Sequence, residues 1–184
     1  YVCDGLLWRM NIDGSEALQL THDVGAVAAP AISPDAKWIV YVRAGDDADE
    51  ICVVDWNGRL SEQRLLSGDE FYMQPAWNPD SSVVACVAWN APQMPWDGCR
   101  LRLAWLGYTE GQPRVLTTNT IAGDNGTAIF QPEFSPDGRY LAYVSDVSGW
   151  GQIYLHDVKA GTRCQLTDAL AEHSRPAWTQ GMRT

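Results

Sequence analysis

Long apolar runs are missing from this chain. No window approaches about 18 consecutive apolar residues, and the opening Y-V-C-D-G shows no basic stretch followed by a greasy one, so nothing in view spans a membrane or directs export. Basic charge is also short: 13 Lys and Arg stand against 23 Asp and Glu, and the net charge of -10 repels phosphate backbones, which excludes nucleic acid as a partner. Paired cysteines are absent. The five present (Cys3, Cys52, Cys86, Cys99, Cys164) are odd in number, scattered and without a C-x-x-C, and they read as reduced, buried packing residues of a cytoplasmic protein. No His-x-x-x-His or His-Glu pair stands at metal-ligand spacing, so no metal or cofactor is expected.

What the chain does have is apolar and aromatic. Hydrophobic residues at 46% and charged ones at 20% place it among globular proteins rather than disordered ones. At 184 residues one domain with a real core is the default. Nine Trp and seven Tyr suit broad contacts between stacked sheets, which favours an all-β chain.

The decisive feature is internal repetition. P-A-I-S-P-D-A-K-W-I-V-Y-V from Pro30, P-A-W-N-P-D-S-S-V-V-A-C-V from Pro75 and P-E-F-S-P-D-G-R-Y-L-A-Y-V from Pro132 superimpose without gaps, and a fourth copy opens at Pro176 as P-A-W. The intervals are 45, 57 and 44 residues, a period in the range of propeller blades. A second marker, Leu20-Thr21, Leu66-Ser67, Leu116-Thr117 and Leu166-Thr167, precedes each copy. Each unit offers four strand signals; in the unit at Pro132 they are Gln131 to Phe134, Arg139 to Ser145, Gln152 to Asp157 and Arg163 to Thr167. Between the first two lies Ser135-Pro136-Asp137-Gly138, with the residues a type I turn prefers at each place. The second strand of each unit is almost unbroken in its apolar character, as a strand covered on both faces must be, while the third mixes in polar residues.

These signals predict an all-β fold: a β-propeller of four-stranded antiparallel blades, about four represented, three complete and two partial. The units fall at 1-27 (partial), 28-72, 73-129, 130-173 and 174-184 (partial), within a single partial propeller domain. Both ends fall inside a blade and no initiator Met is present, so the chain is expected to be a fragment. Alternatively, the strand at Pro176 pairs with the remnant at Tyr1 to Thr21 and closes a ring, which would remove exposed edges.

S-P-D-G followed by an apolar strand resembles the TolB-like propeller repeat. Trp89 to Leu106, with M-P-W-D-G before a strand, and Gln131 to Thr184, with S-D-V-S-G-W-G-Q-I-Y-L, L-T-D, A-E-H and P-A-W, resemble consecutive blades of prolyl oligopeptidase family enzymes, in the dipeptidyl aminopeptidase and acylaminoacyl peptidase branch. That resemblance implies an α/β-hydrolase domain of the same polypeptide, absent here, and peptide substrates that the propeller screens on their way to a serine nucleophile. The G-x-S-x-G elbow such a nucleophile needs does not occur in these residues, so no catalytic residue is assigned. The alternative is a stand-alone TolB-like propeller serving as a protein-binding module, since propellers host many functions. A lyase or glycosidase with carboxylates in the central channel would need inward acidic pairs that the sequence does not single out.

Individual candidates follow from this frame. Asp35, Asp80 and Asp137 recur in every blade and are assigned to turn geometry rather than to a carboxylate cluster. Asp46-Asp47-Ala48-Asp49-Glu50 reads as a solvated hairpin tip, and Asn125-Gly126-Thr127, though it fits a glycosylation acceptor, reads as a turn. His156 is placed in a third strand as a packing or hydrogen-bonding residue, and His22 and His173 in the loops linking blades. The long unit gains residues at Asn90 to Gly98, between its second and third strands, and again before Pro132. Long loops on rigid scaffolds carry specificity, so Met94, Trp96 and Asp97, with Trp150 of the next blade nearby, are the candidates for contact with the hydrolase domain or the peptide path. The competing assignment has Trp96 capping the blade edge.

Overall fold

A computed structural model describes residues 1-22, 25-175 and 177-182. Pro176, which opens the fourth P-A-W, lies outside the described residues. Proline and the turn that follows it set the period of what is seen. Among the described residues there are fifteen strands, and all pairings between them are antiparallel.

β1 (Val2–Cys3), β2 (Leu6–Arg9) and β3 (Leu18–Gln19) form a three-stranded sheet. Three four-stranded meanders follow: β4 (Val27–Ile32), β5 (Trp38–Arg43), β6 (Glu50–Asp55) and β7 (Gln63–Leu66); β8 (Phe71–Trp77), β9 (Val83–Trp89), β10 (Arg100–Thr109) and β11 (Gln112–Gly123); β12 (Ile129–Phe134), β13 (Tyr140–Ser145), β14 (Gln152–Asp157) and β15 (Thr162–Gln165). The architecture is that of stacked propeller blades.

The repeated proline has a backbone reason. In each inner strand the register slips at the same place, between Ala28 and Ala31, Met73 and Ala76, and Phe130 and Glu133. The residue before each proline takes a left-handed φ: 47° at Ala29, 52° at Gln74 and 53° at Gln131. Proline has no N–H to offer a ladder, so a bulge placed there forfeits no hydrogen bond. Gln74 ties two of the bulges together: its Oε1 accepts the Gln131 N–H at 2.7 Å, while its Nε2 donates to the Met182 carbonyl at 3.1 Å.

The turn after the proline is equally regular. The N–H groups of Ala36, Ser81 and Gly138 donate to the carbonyls of Ser33, Asn78 and Ser135 at 2.8, 3.1 and 2.8 Å. The first side chain of each turn then caps the second strand: Ser33 Oγ, Asn78 Oδ1 and Ser135 Oγ accept the N–H of Trp38, Val83 and Tyr140 at 2.9, 2.8 and 2.9 Å. The fourth position has φ of 55° at Ala36, 62° at Ser81 and 71° at Gly138, which only glycine adopts without cost.

Packing explains the apolar second strands. Along β5, Trp38, Val40 and Val42 meet Val84, Cys86 and Ala88 of β9, whereas Ile39 and Tyr41 pack with Leu7 and Leu20 of the first sheet. The other face of β9, formed by Val83, Ala85 and Val87, meets Leu141 and Tyr143 of β13. Each inner blade is thus buried on both sides, with one cluster of apolar side chains per interface. Trp77 adds a polar tie, donating its indole N–H to the Ala31 carbonyl at 3.1 Å across the same interface as β5 and β9.

Three details differ from the sequence reading. First, only Cys52, Cys86 and Cys99 are buried; Cys3 and Cys164 lie on exposed strand positions, since short peripheral strands cover one face at most. Burial pushes the three interior thiols up to about 12, so they stay protonated and inert. Second, the Leu-Thr marker has two different structures. Thr21 Oγ1 accepts the Leu7 N–H at 2.8 Å and Thr167 Oγ1 the Ile153 N–H at 2.9 Å, closing the outer strand on the third. Leu116 and Thr117, by contrast, sit in the middle of β11, with Leu116 exposed, and the register that pairs Ile51 with Leu66 pairs Leu101 with Ala122. Third, the extra residues before Pro132 do not form a loop. They lengthen the outer hairpin to strands of 10 and 12 residues, turned at Glu110 and Gly111, both at positive φ.

Candidate functional site

The connection from β9 to β10 is built as a chain of small turns. Gln93 N–H donates to the Asn90 carbonyl at 3.1 Å, and Asp97 and Gly98 N–H donate to the Met94 carbonyl at 2.9 and 3.1 Å. The Asp97 carboxylate turns back to accept the Met94 N–H at 3.2 Å, so its role is local. Asn90 anchors the entry, accepting the Glu70 N–H at 2.7 Å. The exit is anchored to the next blade: Cys99 N–H donates to the Thr127 carbonyl at 3.0 Å, and Cys99 Sγ accepts the Ile129 N–H at 3.0 Å. Gly98 permits this approach, because a Cβ there would lie 2.2 Å from the Asn125 carbonyl carbon.

Held this way, Trp96 forms one wall of a cavity of about 290 Å³ with Pro95, Ile129, Phe130, Val144, Asp146, Glu172 and Arg175. Its ring lies 4.6 Å from that of Trp178, tilted by 45°. Burial pushes the Asp146 carboxyl up, against the Ala128 N–H that it accepts at 2.7 Å; the nearby Glu172 and Asp124 carboxylates push the same way. Glu172 itself accepts the Gly151 N–H at 2.7 Å. The cavity lining therefore combines aromatic and aliphatic side chains with two carboxylates and one guanidinium.

Of the four residues proposed from sequence, only Trp96 lines this cavity. Met94 is 44% exposed, Asp97 faces its own turn, and Trp150 is 40% exposed between two glycines that do line the cavity. The ring against Trp96 is Trp178, not Trp150. Asp146, Glu172 and Trp178 were not singled out from sequence, although each belongs to a motif already visible there: S-D-V-S-G, A-E-H and the fourth P-A-W.

The remaining candidates have structural settings. Asp137 Oδ1 accepts the Ser135 hydroxyl at 2.6 Å and the Arg139 N–H at 3.0 Å, which holds its carboxyl below the usual range. Asp80 is lowered by the Ser82 hydroxyl and N–H, and Asp35, though burial raises it, is lowered on balance by Ser33 and Lys37. In the acidic run, Glu50 pairs with Arg43 at 2.6 Å and Arg64 at 3.0 Å, and among the described residues no cluster of His, Cys, Asp or Glu suits a metal ion. Asn125-Gly126-Thr127 lies in a turn bridged from Asp124 to Thr127, with the Thr127 side chain buried and bonded to Asp124. His156 is buried, and the His22 and His173 rings stand against the Gln19 carboxamide and the Gly151 carbonyl. Buried Asp69 pairs with the half-buried Arg102 at 2.5 Å, and Tyr72 joins them: its hydroxyl donates to Asp69 Oδ2 at 3.4 Å and is pushed up to about 12 by burial. No helix among the described residues is long and apolar enough to cross a membrane.

Repeated proline-bulge meanders stacked face to face define the class: the chain is a stretch of β-propeller, similar in fold to TolB and to the propeller part of puromycin-hydrolysing peptidases. Among solved proteins, 98% of it superposes on 30% of puromycin hydrolase, with a TM-score of 0.83 and 27% identity. The same share superposes on 30% of a puromycin-hydrolysing peptidase of Mycobacterium tuberculosis, with a TM-score of 0.80 and 26% identity. TolB from Acinetobacter baumannii, at 22% identity and a TM-score of 0.65 over 89% of this chain and 37% of its own, shares the fold. In sequence, an uncharacterised protein of Agrobacterium fabrum is 30% identical over 142 residues, 75% of this chain and 46% of that protein. The Tol-Pal system protein TolB of Hahella chejuensis is 54% identical over 39 residues, 21% of this chain and 9% of its own. The chain thus spans less than half the length of these relatives. No family model matches it.

Proposed function

We propose that this chain is the non-catalytic propeller portion of a cytoplasmic serine peptidase of the prolyl oligopeptidase type, in its dipeptidyl aminopeptidase and acylaminoacyl peptidase branch. It screens peptide substrates and docks against an α/β-hydrolase domain of the same polypeptide, which supplies the serine nucleophile and its partners. The observation that carries this reading is the superposition of 98% of the chain on the puromycin-hydrolysing peptidases at 26 to 27% identity. The five free cysteines fit a reducing compartment.

The cavity walled by Trp96 is the part of the surface assigned to peptide or interdomain contact, with Met94, Asp97 and Trp150 on the loops beside it. In the full-length enzyme, Trp96→Ala is expected to change KM for extended peptides several-fold while leaving turnover of the smallest substrates intact. A fall in melting temperature with selectivity unchanged would assign Trp96 to edge capping instead.

The local 54% identity to a TolB favours a second reading, a propeller that binds a protein partner without an attached enzyme. The gene separates the two: a G-x-S-x-G elbow followed by Asp and His downstream of Thr184 supports the peptidase, and a reading frame without one supports the binding module.

A further inference from the structure

The turn between β11 and β12 carries an arrangement that the peptidase reading does not use. Residues Asp124 to Thr127 are closed by a bridge between the first and the last, and the two residues between them are Asn125 and Gly126. In an Asn-Gly pair the backbone nitrogen of the glycine has the freest approach to the asparagine side-chain carbon, because no Cβ stands in the way. Here both reacting groups are also contacted. Asp124 Oδ1 accepts the Gly126 N–H at 2.9 Å, so a carboxylate lies on the nucleophilic nitrogen. That bond is also the main reason the Asp124 carboxyl is held below its ordinary range, and so ionised. Arg100 Nη2 donates to Asn125 Oδ1 at 2.6 Å, so a guanidinium lies where negative charge develops when the amide carbon is attacked.

We propose that Asn125 is a self-modification site, at which Gly126 displaces the side-chain amide nitrogen with Asp124 and Arg100 assisting. The Gly126 nitrogen forms a bond to Asn125 Cγ, its proton passes through Asp124 to the departing nitrogen, and the Cγ–Nδ2 bond breaks to release ammonia and leave a five-membered succinimide. One water then adds to either ring carbonyl and opens it to aspartate or isoaspartate. No electrons are exchanged. The product carries one more negative charge beside Asp124, and the isoaspartate form adds a methylene to a backbone that Gly98 approaches too closely to tolerate a Cβ. The expected consequence is displacement of the Gly98 end of the loop that carries Trp96.

The chain contains its own control. Asn57-Gly58 is the same pair in the turn after β6, but the Gly58 N–H donates to the Asp55 backbone carbonyl at 3.0 Å, a group that takes no proton. The Asp55 carboxylate is turned away, accepting the Arg59 N–H at 2.7 Å.

The test is incubation of the purified chain in warm, mildly alkaline buffer, with peptide mapping by mass spectrometry at intervals. Conversion of Asn125 is expected to run ~10-fold or more ahead of Asn57. Arg100→Gln and Asp124→Ala should each slow Asn125 while leaving Asn57 unchanged, and the Asn57 rate reports whether either variant has loosened the fold. Equal rates at the two sites, no conversion at Asn125, or an Asn125 rate indifferent to both variants in a folded chain would overturn the proposal.

Discussion

β9 and β13 hold the same place in consecutive blades, and their surroundings treat them differently. β9 is buried at all seven positions, with Val84, Cys86 and Ala88 facing β5 and Val83, Ala85 and Val87 facing β13. In β13, Leu141, Tyr143 and Ser145 are buried while Tyr140, Ala142 and Val144 are only partly covered. Yet Y-L-A-Y-V is about as apolar as V-V-A-C-V. An unbroken apolar strand therefore encodes two faces, and how much each face contributes depends on the blade beside it.

Substitutions at matched positions sharpen this contrast. The largest expected effect is Ala85→Asp in β9, which places an unpaired carboxylate at a fully buried site; a loss of about 4 kcal/mol or more should abolish the cooperative urea transition. Ala142→Asp in β13 should cost only about 1 kcal/mol in the same measurement. Next comes Leu101→Ala in β10, fully buried, at about 3 kcal/mol, against roughly half that for Ile153→Ala at the equivalent, partly exposed position of β14. Equal losses in either pair would break the comparison.

Smaller effects belong to the turns. Ser81→Gly should stabilise by about 1 kcal/mol, because it relieves a left-handed φ of 62° and removes a buried hydroxyl without a hydrogen-bond partner. Gly138→Ala, at φ 71°, should cost about as much. Thermal melts of both variants check the pair. The smallest effect concerns pH. Burial lowers the His156 pKa below its ordinary 6.5, so the unfolded chain binds the proton first; the stabilisation is present above pH 6.5 and is lost as pH falls through the folded value. His156→Ala, which copies Ala104 at the matching position of β10, should flatten this acid-side decline in urea titrations.

The sequence made the blade legible because its signals are local. Proline, the bulge before it and the capped turn after it lie within a few residues of one another, and two-sided burial is written directly into strand composition. The long hairpin was harder to read: Leu116-Thr117 imitates a marker only two residues long, while the Glu110-Gly111 turn that sets the hairpin was passed over. The cavity was the least legible. Trp96 meets Trp178 only because loops from one end of two separate blades converge, and no spacing rule links positions so far apart. Asp146 and Glu172 join them for the same reason, through stacking of blades rather than proximity in the chain.

The bulge before each proline also bears on solubility. β4, β8 and β12 are the innermost margins of their sheets, each bonded to a partner strand on one side only. An unprotected margin of this kind is a template for another chain to zip onto. A missing donor and a backbone kink at the same height in every margin deny an intruding strand any continuous ladder, and the proline repeat that gives the fold its period thereby guards it against amyloid-like growth.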